Sequence, residues 1–496
     1  AQSAQSAPSI QADVYRRLAE LLTAALGDDR VQTGADALLS YSYDGGFLEG
    51  MPDLVVAPAD AGEVAITVRL AMAAGVPIVA RGSGTGLCGG ATPTRGGVVI
   101  TTTRMNHILA LDARNRRAVV EPGVINVALS AAARPYGLYY APDPASQRIS
   151  TIGGNVATNA GGPHCLAQGV TANHILAVQL ALPSGELVWF GGGAQAGLNT
   201  SGYDLLGTVI GSEGTLGIVT QIVTRLLPLP EATRTLLAIY PDVASGSASV
   251  SAIIAAGILP SALEMMDQPI CQAVERHFHA GYPEDAGSVL LIELDGAREQ
   301  VEAQRERVVA LCAQHGAREV RVARSEAERA ALWAGRKGAA GALGQLAPSY
   351  YLQDVVVPRS RLPRIMERVA AIAQEYRLTI PNVFHAGDGN LHPAMLFDRR
   401  RPGDIERVIA AGNELLRAAV DLGGAVSGEH GIGMEKRDAL TLVYSARDLA
   451  AMVRLRTCFD PHELFNPEKI YPASASCVEV STPQTLRAEQ GNAWFC

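Results

Sequence analysis

The sequence has no Cys-x-x-Cys pair, no hydrophobic run of about 18 residues and no excess of positive charge. Without paired cysteines, the chain is not expected to bind a ferredoxin-type iron–sulfur cluster. Without a long apolar run, none of its helices is expected to span a membrane. The formal net charge of -8 argues against a nucleic-acid-binding protein, which normally has a basic face. The seven cysteines are scattered and odd in number, which favours free thiols in a reducing compartment.

Glycine and hydrophobic residues, by contrast, are abundant. Of the 496 residues, 48% are hydrophobic, 18% are charged and 51 are glycine. This length exceeds one ordinary core and predicts two or three domains of a well-packed globular protein. The many glycines indicate places where the backbone approaches a ligand closely. Residues 1–10 lack the pattern of a secretory signal, so we expect a cytoplasmic protein.

A change of rhythm at Pro228 and Pro230 divides the chain. Before it, short β-rich runs alternate with glycine turns, the pattern of an α+β domain. After it, strands alternate with helices, which predicts an open sheet with helices on one face, similar to a ferredoxin-like layout. The predicted units are a helical segment (1–51), a first domain (52–230), a second domain ending in a C-terminal helix (231–472) and a tail (473–496). Within the second domain the pattern predicts strands at 233–239 and 262–266 and helices at 244–257, 297–314 and 404–421.

Residues 81–92 form a glycine-rich loop that follows a predicted strand. Residues 84–89 match the G-x-G-x-x-G pattern, but a dinucleotide-binding Rossmann fingerprint needs a helix to begin there. The chain leads instead through glycine and proline into another strand, 98–101, so the Rossmann interpretation fails. The loop is then either a simple tight turn or a nest of backbone N–H groups that binds an anion, helped by the hydroxyls of Ser83 and Thr85.

Two more glycine-rich segments, 151–162 and 211–219, occur in the same predicted domain, and a rigid Pro-Asp-Pro turn occupies 142–147. Three such segments favour one extended ligand that lies along bare backbone.

In this order the segments resemble the FAD-binding domain of the vanillyl-alcohol oxidase/p-cresol methylhydroxylase family. The C-terminal half resembles the FAD-linked oxidase cap of that family. The most similar branch contains the FAD subunits of glycolate oxidases, with D-lactate and D-2-hydroxyglutarate dehydrogenases as near relatives. The resemblance implies an α+β fold with a two-part FAD-binding domain of the p-cresol methylhydroxylase type, a ferredoxin-like cap domain and a C-terminal helical segment that returns to the flavin.

The resemblance also implies which residues bind FAD. The pyrophosphate would lie against Gly82, Ser83, Gly84, Thr85 and Gly86. The flavin and adenosine would be lined by residues of the other segments: Pro142, Ser146, Gly153, Gly154, Asn159, Gly161, Glu213, Ile218 and, from the C-terminal segment, Asn466. Covalent members of the family often have a histidine in the phosphate loop. This loop has none, so non-covalent FAD is expected.

Two C-terminal motifs, His-Ala-Gly-Asp-Gly-Asn-Leu-His at 385–392 and Gly-Glu-His-Gly at 428–431, carry the candidate chemistry. Two imidazoles and one carboxylate, from His385, His392 and Glu429, are enough to hold a divalent metal with open positions. His430 would then be placed to move a proton. A histidine taken alone is more often a structural or surface residue than a ligand, but four candidate groups in two glycine-rich turns favour a metal site. In the related 2-hydroxy-acid dehydrogenases the matching residues hold zinc or a similar ion.

The implied reaction is FAD-dependent oxidation of a small 2-hydroxy acid, glycolate or D-lactate, to the 2-oxo acid, with hydride transfer to flavin N5 and His430 as base. Arg336 matches the family arginine that pairs with a substrate carboxylate, although a surface ion pair is an equal alternative. Ala340 and Tyr350–Leu352 lack groups for a second carboxylate, which disfavours hydroxyglutarate. The alternatives are a D-2-hydroxyglutarate or other D-2-hydroxy acid dehydrogenase, a metal-free FAD alcohol oxidase, and a non-enzymatic binding module.

The electrons must then leave the flavin. The resemblance implies a second FAD-like subunit and an iron–sulfur subunit that feed a quinone, which would place the protein at the inner membrane through its partners. A standalone enzyme that donates to a cytochrome or quinone, or uses O2 directly, remains an alternative at this point.

Overall fold

The computed structural model describes residues 7–194 and 202–472, and every helix and strand named below lies within those residues. The first half of the chain contains these helices and strands, in order: α1 (Ala7–Leu26), β1 (Val31–Gln32), α2 (Ala35–Leu39), β2 (Leu54–Val56), α3 (Ala61–Ala73), β3 (Ile78–Arg81), β4 (Val98–Thr101), β5 (Ile108–Asp112), β6 (Arg117–Val120), α4 (Asn126–Ala133), β7 (Leu138–Tyr139), α5 (Ile152–Thr158), α6 (Cys165–Gln168), β8 (Ile175–Ala181), β9 (Leu187–Phe190), α7 (Leu205–Val209), β10 (Ile218–Arg225) and β11 (Leu227–Pro228).

The first of the two main sheets in this half has the order β1-β2-β4-β3. Strands β2, β3 and β4 run parallel and are apolar along nearly their whole length, as expected for strands covered on both faces. Helix α3 packs on one face; its N-terminus is capped by the Asp60 carboxylate, which accepts from Glu63 N. The loop between β3 and β4 contains no helix within 82–97. The exclusion of a Rossmann fingerprint is therefore confirmed.

The second sheet is antiparallel, with the order β5-β6-β10-β8-β9. Its central strand β10 pairs with β6 and β8, and Ile222 lies opposite both Val120 and Val178. Helices α4 and α5 cover the apolar face, so the sheet and these helices enclose one core. The first half is thus built from two sheets, in agreement with the predicted two-part FAD-binding domain.

The second half contains β12 (Ala232–Tyr240), α8 (Val243–Ala255), β13 (Ala262–Asp267), α9 (Gln268–Phe278), β14 (Ser288–Gly296), α10 (Arg298–Gln314), β15 (Glu319–Val322), α11 (Glu326–Leu343), β16 (Ser349–Leu352), β17 (Val355–Val356), α12 (Leu362–Glu375), β18 (Asn382–His385), β19 (Asn390–Phe397), α13 (Asp404–Asp421) and α14 (Ala446–Phe459). The predicted strands and helices of this half all occur, with bounds that differ by at most two residues.

These strands form one sheet of order β15-β12-β14-β13-β18-β19-β16, and β17 also pairs with β19. The first four strands in chain order have the spatial order 4-1-3-2 of a ferredoxin-like unit, so that expectation is confirmed. The expectation of helices on one face is wrong. Helices α8, α10, α12 and α13 cover one face, while α9 and α11 cover the other. Alternate residues of β12 belong to two different cores, which shows that the sheet is apolar on both faces. Helices must therefore cover both faces.

After α14 the chain returns to the first domain. Phe465 forms a parallel bridge with Ile78 of β3, and Asn466 N donates to Ile78 O at 2.7 Å. The predicted tail, 473–496, lies outside the described residues, as do Cys477 and Cys496. The five described cysteines are free thiols. Among the described helices, none combines the length and the apolar character needed to cross a bilayer.

Candidate active site

The glycine loop after β3 presents backbone donors. Among the described residues, no backbone amide from Ser83 to Cys88 donates a hydrogen bond to protein, so this run of N–H groups is available to an anion. The side chain of Arg81 packs against this loop at Gly84, and its guanidinium donates to Tyr43 O at 2.7 Å. A Cβ at Gly84, which has φ +70°, would lie 2.2 Å from that guanidinium, so glycine is required there. This arrangement fits a pyrophosphate group.

The other predicted FAD residues have different structural roles. A Cβ at Gly82 would meet Thr151 Oγ1 at 2.4 Å, so the phosphate loop packs directly on the start of α5. Gly153 packs on Pro122, and Gly154 N donates to Thr151 Oγ1. The remaining four are placed as follows: Pro142 O accepts from the buried Asn126 side chain, Ser146 O accepts from Ile149 N and Ser150 N, Asn159 ends α5 in the left-handed region, and Ile218 is buried in the core at the start of β10.

Glu213 and Asn466 join the two domains. The buried Glu213 carboxylate accepts from Ile432 N at 2.7 Å and Gly433 N at 2.8 Å, in the loop that follows His430. Burial raises the pKa of Glu213 to about 7, despite these two donors. Asn466 Nδ2 donates to Glu213 O and to Gly90 O of the phosphate loop. The predicted cofactor residues Glu213 and Asn466 therefore fix the glycine loop to the cap.

The strands β18 and β19 form a hairpin that brings His385 and His392 together. His385 lies opposite Asn390, and His392 lies opposite Val383, so the two histidines are diagonal neighbours on one face. Their ring centroids are 5.1 Å apart. The Gly-Asp-Gly turn of the sequence motif thus joins two strands, and each strand carries one of the histidines.

Glu429 completes the cluster from a separate loop. Its Oε1 lies 3.2 Å from His385 Nε2 and 3.2 Å from His392 Nε2. Metal bonds of about 2.1 Å place neighbouring ligand atoms roughly 3.0–3.4 Å apart, so this spacing fits a shared divalent ion. Both nitrogens of His392 are buried without a hydrogen-bond partner among the described residues, which also fits a ligand role. The three predicted metal ligands are therefore brought together.

The electrostatics of the cluster favour a cation. Burial alone would lower the pKa of His385, but the carboxylates of Glu264 and Glu429 hold it well above its usual value. Conversely, burial would raise the pKa of Glu429, but His385 and His392 hold it well below. Carboxylates that attract a proton onto an imidazole also attract a metal ion.

Asp354 holds the loop that carries Glu429 and His430. It lies between β16 and β17, is fully buried, and its Oδ2 accepts from Gly428 N at 2.9 Å and His430 N at 2.9 Å. The fully buried Lys436 donates to the same oxygen at 3.2 Å and to Asp354 O at 2.9 Å. One carboxylate thus fixes the backbone on both sides of Glu429.

His430 stacks on His392, with ring centroids 4.9 Å apart and planes 8° apart. Its Nε2 lies 3.9 Å from Glu429 Oε1. Burial lowers the pKa of His430 to about 4, so the imidazole is neutral at physiological pH. The loop also faces the FAD-binding domain, since a Cβ at Gly161 would lie 2.6 Å from Glu429 Oε2.

Arg336, on α11, reaches the same site. It is buried and ion-paired with Glu264, and its Nη2 lies 3.4 Å from His385 Nδ1. The alternative of a surface ion pair is therefore wrong in its location, although the arginine is paired. Its Nε has no hydrogen-bond partner among the described residues.

Sequence reasoning missed Glu264, Asp354 and Lys436. A signal for Glu264 was present: one carboxylate in the apolar run Ala262–Met266 is costly unless it is paired. For Asp354 and Lys436 the sequence offers no such contrast.

Comparison with known proteins agrees with this architecture. Residues 52–191 match the model of the FAD binding domain, and residues 229–470 match that of the FAD linked oxidases, C-terminal domain. The glycolate oxidase subunit GlcD of Escherichia coli (strain K12) is 43% identical over 90% of this chain and 89% of its own length. That of Bacillus subtilis (strain 168) is 40% identical over 93% and 98%. A D-lactate dehydrogenase of Anaerostipes hadrus is 33% identical over 89% and 94%.

Solved structures share the fold at low identity. The crystal structure of p-cresol methylhydroxylase with substrate bound has a TM-score of 0.78 at 17% identity, covering 92% of this chain and 97% of that one. Together with the two matched domains and the relatives above, this places the chain: it belongs to the FAD-linked oxidases, with an FAD-binding domain followed by the C-terminal domain of that family.

Proposed function

We propose that this protein oxidises a small 2-hydroxy acid, such as glycolate or D-lactate, to the 2-oxo acid with FAD and a divalent metal, zinc in the first instance. The observation that carries the proposal is the convergence of His385 Nε2 and His392 Nε2 on one oxygen of Glu429, 3.2 Å from each. This cluster lies beside His430 and against Gly161 of the FAD-binding domain.

When bound, FAD supplies a hydride acceptor and the metal supplies a Lewis acid at the substrate oxygen. The chain's own groups bind and deprotonate the substrate. Arg336 lies beside His385, and its buried Nε–H has no hydrogen-bond partner among the described residues; we assign its guanidinium to the substrate carboxylate. His430 is neutral, and its Nε2, the nitrogen nearer Glu429, accepts the hydroxyl proton. Removal of that proton and of the C2 hydride converts the alcohol carbon to the carbonyl of the 2-oxo acid.

The surroundings suit a substrate with one carboxylate. Tyr351 is buried and packs edge-on against Phe47, with ring centroids 5.2 Å apart, so its ring belongs to the core. Ala340 offers no polar group. A dicarboxylate such as hydroxyglutarate would leave its second charge without a partner on this stretch, which costs binding free energy.

Anaerobic mixing of the FAD-loaded protein with a panel of D- and L-2-hydroxy acids tests the proposal. Flavin absorbance should bleach with glycolate or D-lactate and much less with D-2-hydroxyglutarate. His392→Ala should keep the flavin spectrum but lose bleaching, whereas His277→Ala, an exposed histidine on α9, should behave as the wild type. The absence of bleaching with every hydroxy acid would reject the function, and a preference for hydroxyglutarate would reject the substrate class.

We also propose that the electrons leave through partner proteins. The Escherichia coli and Bacillus subtilis relatives are named as subunits of glycolate oxidase. As the family resemblance implies, a second FAD-like subunit and an iron–sulfur subunit would pass electrons to a quinone and hold this chain at the cytoplasmic side of the inner membrane. Co-purification of partner proteins with the affinity-tagged chain, followed by quinone reduction with glycolate, tests this assignment; a chain that reduces quinone alone contradicts it.

A further inference from the structure

Glu264 is a lone carboxylate in the middle of the cap sheet. Strand β13 reads Ala-Leu-Glu-Met-Met-Asp, is buried along its whole length and is paired on both edges, by β14 and β18. The Glu264 side chain is 0% exposed. Transfer of an ionised carboxylate to such a place is strongly unfavourable unless fixed donors replace its water. The partners of Glu264 therefore indicate which side chains it positions.

The strand register supplies the first partner. Glu264 lies directly opposite His385 across β13 and β18, so the two side chains extend from the same face. His385 Nδ1 lies 2.7 Å from Glu264 Oε1 and 2.8 Å from Oε2. The second partner is Arg336, which comes from α11 and pairs with Oε2. Glu264 thus contacts one proposed metal ligand and the proposed carboxylate-binding arginine.

The two histidine ligands differ in this respect. Nδ1 of His392 is 3.9 Å from Asp354 Oδ1 and has no hydrogen-bond partner among the described residues. Nδ1 of His385 is held by both oxygens of one carboxylate. A hydrogen bond at Nδ1 leaves Nε2 as the ligand atom and fixes the rotation of the ring. In His385 that Nε2 already points to Glu429 Oε1.

We propose that Glu264 is a positioning residue that sets two parts of the site at once: it fixes His385 with Nε2 towards the metal, and it fixes Arg336 for the substrate carboxylate. This inference rests on the proposed function, because it assumes the metal and the hydroxy acid. The inference goes beyond the proposed function because one buried side chain, which contacts neither the metal nor the substrate, would control the affinity for both.

The test compares Glu264→Gln with Glu293→Gln. Glu293 is a matched control: it is a buried carboxylate on the neighbouring strand β14, is paired with Arg329, and contacts none of the three metal ligands. Zinc affinity is measured on FAD-loaded protein by competition with a chelator. Loss of such a supporting hydrogen bond typically weakens metal binding about 10–100-fold. We expect that loss in Glu264→Gln and less than a threefold change in Glu293→Gln.

Two further readouts separate positioning from loss of stability. The visible absorption of Co2+ at the site should change in Glu264→Gln and not in Glu293→Gln, because it reports ligand geometry. The KM for glycolate or D-lactate at saturating metal should rise at least tenfold, because Arg336 loses its anchor. If Glu264→Gln does not fold, Glu264→Asp serves: it keeps the charge but is too short to span both partners, and the same losses are expected.

The outcomes are distinct. Two results overturn the metal part of the proposed function and this inference together. One is that the wild-type protein binds no zinc; the other is that His392→Ala binds zinc as tightly as the wild type. Wild-type protein that binds zinc through His392, with Glu264→Gln or Glu264→Asp binding equally tightly and with an unchanged Co2+ spectrum, overturns the inference alone. Equal weakening in Glu293→Gln also overturns it, since the effect is then a general one of the sheet.

Discussion

Replacement of Asp354 by asparagine should release the loop that carries Glu429 and His430. The wild-type carboxylate accepts from three consecutive backbone amides, Gly428 to His430, and pairs with Lys436, and neither side chain of the pair is exposed. Burial would raise the pKa of Asp354, but Lys436 and the neighbouring histidines hold it well below its usual value. The fold therefore stabilises the charged form of this carboxylate. Asparagine keeps the shape and one acceptor but leaves Lys436 charged and without its counterion.

Breaking a buried ion pair by removing one partner costs about 3–5 kcal/mol. Because Lys436 keeps its bond to the Asp354 backbone carbonyl, we expect the lower value, about 3 kcal/mol. If the cost appears as local opening, amide exchange in this loop should accelerate roughly a hundredfold, since each 1.4 kcal/mol is about tenfold.

Hydrogen–deuterium exchange with mass spectrometry measures this directly on a peptide that covers 426–434. A peptide from α13 serves as the internal reference. Asp438→Asn is the matched control, since its side chain is 76% exposed and its exchange should equal that of the wild type. Lys436→Met combined with Asp354→Asn should recover part of the loss, because no unpaired charge remains. Unchanged protection of the loop in Asp354→Asn would refute the argument.

Three other predictions concern His430, Gly161 and His164. His430→Ala should lower turnover about a hundredfold or more at unchanged flavin content, and turnover equal to wild type would remove His430 from the mechanism. Gly161→Ala should weaken zinc binding, because the new methyl group lies 2.6 Å from Glu429 Oε2; unaltered zinc affinity would show that Glu429 has room to move. Burial would lower the pKa of His164, but Asp143 and Glu293 raise it to about 10. Protonated His164 therefore stabilises the folded state fully below about pH 6.5, and this stabilisation is lost as the pH rises to 10. The stability difference between wild type and His164→Gln, from melting temperatures, should therefore shrink over pH 7–10 by up to about 1.4 kcal/mol per pH unit, and a constant difference would contradict it.

Much of the cap could be predicted because its helices carry a clear local period. Helix α13 has the predicted bounds, 404–421, and α10 begins one residue later than predicted. The hairpin of β18 and β19 was harder. Strand β18 has only four residues, and both strands hold polar residues at the site beside a Gly-Asp-Gly turn, so the local pattern does not indicate two strands.

The sequence predicted which residues form the site itself, but not which buried residues hold them in position. His385, His392, Glu429 and His430 stand out as unusual residue types in close sequence. Glu264 lies 121 residues from His385, and only the register between β13 and β18 brings them together. Such a register depends on the packing of the whole sheet, which no local pattern contains. The placement of α9 and α11 on the second face was missed for the same reason.

The bridge between Phe465 and Ile78 has a consequence for biosynthesis. The edge strand of the first domain is completed by residues that are translated almost four hundred positions later. On the ribosome, the nucleotide-binding half therefore emerges early but waits for the entire cap before its last backbone hydrogen bonds form. The cap is in effect an insertion within one domain, and premature termination before residue 464 would leave an open sheet edge exposed to aggregation.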